Sequence, residues 1–218
     1  ASSTPGTRMS SRKVTVKNSI SWMKWDFPFR IVPMIAIPAM LILATPLSAK
    51  DIGLYFSGAH TLLPAILIGI IIGVVSWAFR VKVLKWNSSP TTPDVLLETT
   101  YYCVLNAPAE ELVFRGIMIG LLGNYIGNPT ALFISTLVFG AYHIPAKWGS
   151  KAVAGVTAAG FLFGCLFLIT GESLIAPMIV HAFATSGLLS TGPWVEHFLK
   201  EQKWKTKSKD AEVHRYLS

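Results

Sequence analysis

Charge is scarce in this chain. Only 14% of its 218 residues are Asp, Glu, Lys or Arg, against about a quarter in an ordinary soluble domain. Acids are the scarcer sign, 11 against 19 bases, and residues 1–25 contain none. That composition excludes a second, soluble domain. Cysteine is nearly absent as well. Cys103 and Cys165 both sit in apolar segments, so they read as small buried hydrophobes and exclude a disulfide-built fold. The His-Glu-x-x-His helix of the common zinc proteases is missing, and so are a Gly-rich phosphate loop and a Gly-x-Ser-x-Gly elbow.

What is present is apolar. Hydrophobic residues make up 52% of the chain and mean hydropathy is +0.51, so the expected fold class is an all-α polytopic membrane protein. Six spans are expected, at about 31–49, 61–79, 95–123, 129–143, 152–170 and 173–189. They form a helical membrane domain over 31–192, between a basic polar segment (1–30) and a basic tail (193–218). Pro33, Pro38 and Pro46 predict a kinked first span. The turns around Asn124–Pro129 and Gly171–Ser173 are short, so the helices they join are antiparallel neighbours.

The net charge of +8 raises the question of nucleic acid, but the bases flank the apolar runs and are explained by topology. With six spans, every base except Lys50 and the embedded Arg115 falls on one side, so both termini are expected to be cytoplasmic, or stromal in an organelle. A bacterial plasma membrane is the first expectation, a plastid or other organelle membrane the second. Residues 1–25 read either as an expression scar before a native start at Met9 or as the remnant of a transit sequence. The sequon at Asn87 lies on the cytoplasmic side and is discounted, and the basic tail around Trp204 reads as a topology signal.

One embedded stretch is not apolar: Asn106-Ala-Pro-Ala-Glu110-Glu111-Leu-Val-Phe-Arg115-Gly116. On insertion scales a charge at mid-membrane costs roughly 2.5–3.5 kcal/mol, so three together imply a use. Glu111 and Arg115 are spaced i, i+4 and meet on one helix face. Glu110 points about 100° away, without a local cation, as the group presented to chemistry. Pro108 predicts a break or kink just before it. His143 and His181 are embedded on two further helices. A Glu and a His can deprotonate a water, and a second His with another donor can hold an oxyanion. Glu110, His143 and His181 are also the set that would ligate zinc, although the cation of Arg115 nearby argues against a metal. No cofactor is otherwise implied.

These residues resemble the CAAX prenyl protease type II family, also called the CPBP or ABI family of intramembrane proteases. The Glu-Glu-x-x-x-Arg motif is Glu110 to Arg115, Phe-x-x-x-His is Phe139 to His143, and His-x-x-x-Asn/Asp is His181 to Thr185. The similarity covers roughly residues 93–189. It implies an intramembrane endopeptidase acting on a membrane-anchored or prenylated protein or peptide. In that reading Glu110 and His143 activate water, His181 and the third-motif donor hold the oxyanion, and Glu111, Arg115 and Phe139 support the site. Thr185 departs from the pattern. Its hydroxyl can reach the site or bond back to the carbonyl of His181 or Ala182, and losing one oxyanion donor costs about 100- to 1000-fold in rate. The alternative is therefore a slow or inactive member that serves as a membrane scaffold or binds a partner in a membrane complex.

Overall fold

A computed structural model describes residues 16–85 and 92–185, and every regular element among them is helical. Helix α1 covers 16–44 as Val16–Asp26, a π turn at Phe27–Ile31 and Val32–Ala44. Helix α2 covers 59–83, ending in the π turn Phe79–Val83. Helix α3, covering 92–126, carries the two glutamates. Helices α4 (Asn128–Tyr142), α5 (Ser150–Ile169) and α6 (Ile175–Thr185) complete the described part. The tail, the sequon and the end of the sixth expected span lie outside the described residues.

This is an all-α membrane protein. Three stretches are long and apolar enough to cross a bilayer, Ser19–Ala44, Ala59–Val83 and Ser150–Ile169. Helix α3 is long enough but carries Glu110, Glu111 and Arg115, and α4 and the described part of α6 are shorter. Large apolar side chains point outward, among them Phe29, Leu43, Leu63 and Ile169, which is the expected face toward lipid.

Two expectations are corrected. The chain is already helical at Val16, so the first helix runs through the boundary drawn at residue 30 and continues past Pro33 and Pro38 to Ala44. It ends at Thr45, whose backbone is extended (φ −134°, ψ 166°). Pro108 does not break α3 either. A π turn at Tyr102–Asn106 precedes it, with the Ala107 N–H donating to the Tyr102 carbonyl, and Pro108 falls in the first turn of the α-helical piece that follows. A proline lacks the N–H that an unbroken α ladder needs, and the adjoining π turn is where that ladder is already interrupted. Pro28 and Pro33 occupy the same kind of position in α1.

Helix α3 is central. It packs against α1, α4, α5 and α6, while α2 lies along α6 and α4 along α5. In lipid such packing relies on close fit and interhelical hydrogen bonds. Ser135 donates to the Phe114 carbonyl at 2.6 Å, joining α4 to α3, and Ser76 donates to the Ala184 carbonyl at 2.9 Å, joining α2 to α6. At one end of the bundle the segment 45–58 folds back. Ile52 is fully buried with Leu112, Ile119, Phe167 and Leu174, and the Leu174 N–H donates to the Gly53 carbonyl at 2.9 Å. Gly116 makes this possible, because a Cβ there would stand 2.7 Å from the Ile52 carbonyl oxygen.

Candidate active site

The buried polar groups gather where α3, α4 and α6 meet. Glu111 and Arg115 are fully buried, and Glu110 and His181 are nearly so. Arg115 donates to Glu111 Oε1 at 3.0 Å and to the Gly160 carbonyl at 2.7 Å. Its guanidinium also lies 4.6 Å from the Phe139 ring centroid and 5.3 Å from that of Phe163. A buried cation is tolerable only with such partners. Gly160 admits the Phe139 ring, since a Cβ there would sit 2.6 Å from it.

Glu111 does more than pair with Arg115. Its Oε1 also accepts from His181 Nδ1 at 2.6 Å. A carboxylate already held by Arg115 only accepts, so the proton of His181 sits on Nδ1. That leaves Nε2 facing Glu110 Oε2 at 3.6 Å. Phe163 stacks on the imidazole at 4.7 Å and fixes its plane.

His143 caps α4, and its Nδ1 lies 2.7 Å from the Phe139 carbonyl. A carbonyl accepts, so Nδ1 carries the proton and Nε2 holds a lone pair in the neutral ring. The ring is half-buried, edge-on to Phe139 at 4.8 Å and beside Trp148 at 5.4 Å. Tyr142, edge-on to it at 5.0 Å, places its hydroxyl 3.3 Å from Arg30 Nη1, the nitrogen that bonds Glu110. Phe139 touches Arg115, His143 and His181, so Glu110, Glu111, Arg115, Phe139, His143 and His181 form one cluster.

Thr185 stands apart. Its hydroxyl donates to the His181 carbonyl at 3.0 Å, the back-bond that competes with any donation into the site. Glu110 does not lack a cation as the sequence had suggested. Arg30 Nη1, from α1, donates to Glu110 Oε1 at 2.7 Å and lies 3.3 Å from the Tyr142 hydroxyl. The local i, i+4 search along α3 missed this because the partner is 80 residues away. Arg30 had been read only as a topology charge. The legible signal was Asp26, the first acid in the chain, four residues before Arg30.

Among the described residues, no group of three or more His, Cys, Asp or Glu side chains is arranged to hold a metal. The atoms of Glu110, His143 and His181 that would face a metal are Glu110 Oε2 and the two Nε2 nitrogens, with each Nδ1 held from behind and the Arg30 cation beside the set. Glu110 Oε1 is bonded to the Arg30 cation and His181 Nδ1 to Glu111.

Residues 92–186 match the family model for the Rce1-like type II CAAX prenyl endopeptidases. The chain carries an Rce1-like domain. No curated protein and no solved structure matches it. The Rce1-like domain begins with α3 and reaches just past Thr185, so it contains all three motifs. Helices α1 and α2, and with them Arg30, lie outside the matched region.

Proposed function

We propose that this protein is a multi-pass intramembrane endopeptidase that hydrolyses a peptide bond of a prenylated or otherwise membrane-anchored substrate. The observation that carries the reading is the free oxygen of Glu110. Its Oε2 is buried without a hydrogen-bond partner, 3.6 Å from His181 Nε2, in a carboxylate whose other oxygen is held by Arg30. An unpartnered acceptor at that depth is costly unless a ligand or water meets it.

In this mechanism a water held between Glu110 Oε2 and His143 Nε2 gives its proton to Glu110 as it attacks the scissile carbonyl. The new C–O bond pushes the carbonyl electrons onto oxygen. With one further proton taken up from solvent at Nε2, His181 donates to that oxyanion while its Nδ1–H stays on Glu111. Collapse restores the carbonyl and breaks the C–N bond, and the proton taken from water passes to the leaving amine. Glu111 and Arg115 hold His181 in place. The basic residues flanking the helices support six crossings, with the Arg30 and His143 end toward the cytoplasm or stroma.

The second reading, a non-proteolytic scaffold that binds a membrane partner, is favoured by one observation: the Thr185 hydroxyl is committed to its own helix. The deciding experiment incubates purified protein in lipid nanodiscs with farnesylated and unmodified peptides and maps the products by mass. Cleavage of the farnesylated peptide, lost in Glu110→Gln and His143→Ala, supports the protease. Intact peptides throughout, with folded protein, support the scaffold.

A further inference from the structure

The Rce1-like domain does not hold its own catalytic carboxylate unaided; a cation from outside it does. Arg30 is clamped by Asp26 in a two-point contact, Nε to Oδ1 at 2.5 Å and Nη2 to Oδ2 at 2.5 Å. Asp26 Oδ2 in turn accepts the Tyr101 hydroxyl at 2.5 Å, which ties the clamp to the start of α3. With that edge of the guanidinium fixed, the remaining terminal nitrogen, Nη1, is aimed at Glu110 Oε1, 2.7 Å away, beside the Tyr142 hydroxyl. Such forked geometry confers direction as well as charge.

The consequence falls on the other oxygen. A carboxylate anchored at Oε1 cannot turn, so Oε2 faces His181. The charges also match pairwise. Arg115 is bonded to Glu111 and to the Gly160 carbonyl, so it is not free for Glu110. Arg30 is the cation that bonds Glu110, whose side chain is only 4% exposed while that of Arg30 is 22% exposed. The pair therefore reaches from a wetter rim to the buried base.

We propose that Asp26 and Arg30 are positioning residues of the hydrolytic site. Arg30 holds Glu110 Oε1 so that Oε2 faces the bound water, and Asp26 aims Arg30. This rests on the protease reading for its rate consequences, but its physical core does not. The site is then assembled from two parts of the chain, and the matched domain without α1 is incomplete.

The test uses the full chain in nanodiscs with Arg30→Gln, Arg30→Lys, Asp26→Asn and the control Lys24→Gln. Infrared spectra of each protein, subtracted from those of its Glu110→Gln counterpart, isolate the Glu110 band. The expected result is the same Glu110 band in wild type and Lys24→Gln, a small shift in Arg30→Lys, and a shifted, broadened band in Arg30→Gln, where the hydrogen bond to Oε1 is gone. In the peptide assay Arg30→Gln should lower kcat by about 100-fold, the low end of what a general base contributes, with KM unchanged. Arg30→Lys should recover most of that rate, and Asp26→Asn should fall between. A Glu110 band in folded Arg30→Gln identical to that of wild type overturns the proposal. If Arg30→Gln does not fold, an Asp26→Asn protein indistinguishable from Lys24→Gln in kcat and in the Glu110 band overturns it. A wild type that cleaves nothing overturns the protease reading alone, and the infrared comparison then decides this one.

Discussion

Glu111 holds two partners with one oxygen, and this makes it the least replaceable side chain in the cluster. Removing it strands Arg115, which is fully buried, and frees His181. Breaking a buried pair from one side costs roughly 3–5 kcal/mol. Glu111→Ala should therefore show a sharply lowered thermal midpoint or fail to express, while Glu110→Gln, which keeps volume and a donor–acceptor end, should melt close to wild type. Equal midpoints for Glu111→Ala and wild type would refute the division of roles. Thr185 gives the second test at this scale. Its hydroxyl is bonded to the His181 carbonyl, so Thr185→Val should leave the hydrolysis rate unchanged. Thr185→Asn supplies a donor long enough to reach past the helix and should raise the rate by up to about 100-fold, the worth of one oxyanion donor. Initial rates on a prenylated peptide measure both. The Glu111–Arg115 pair was legible in the sequence because i, i+4 geometry is local. The link between Arg30 and Glu110 was not, because only the packing of α1 against α3 brings them together.

Helix α3 carries the two buried glutamates between two interruptions of its α-helical ladder. π turns are rare and concentrate at functional sites, and α3 has them at Tyr102–Asn106 and Leu112–Leu121, on either side of the two glutamates. Pro108 announced an irregularity at the right place but of the wrong kind. A proline in sequence reads as a missing donor, and a preceding π turn that absorbs it leaves no periodic trace. The close approach of the 45–58 segment to α3 was equally invisible, since it depends on Gly116 facing a backbone oxygen. Gly116→Ala puts a methyl 2.7 Å from the Ile52 carbonyl oxygen, an atom that cannot swing away. The expected cost is about 1–3 kcal/mol, typical of overpacking, read as a lower thermal midpoint in detergent. An unchanged midpoint would mean that the segment does not seat on α3.

For the whole molecule, charge distribution and apolar runs sufficed to identify an all-α membrane protein, and three ordered motifs pointed to the Rce1-like match over residues 92–186. What they left out is that α1 passes residue 30 without a break and so carries Asp26 and Arg30 to the site. Topology at this scale is checked on a background lacking Cys103 and Cys165. A membrane-impermeant thiol reagent should label Lys147→Cys from one side of the bilayer and Asp51→Cys from the other; labelling of both from the same side would contradict the six-crossing arrangement. The central claim, that the cluster hydrolyses peptide bonds, is tested most directly by the initial rate of farnesyl-peptide cleavage in nanodiscs for wild type and Glu110→Gln at equal folded concentration. The account predicts product from wild type and at least about a 100-fold loss in the variant, as expected for removal of a general base. Equal rates from the two proteins, or no product from folded wild type on any membrane-anchored peptide, would contradict it.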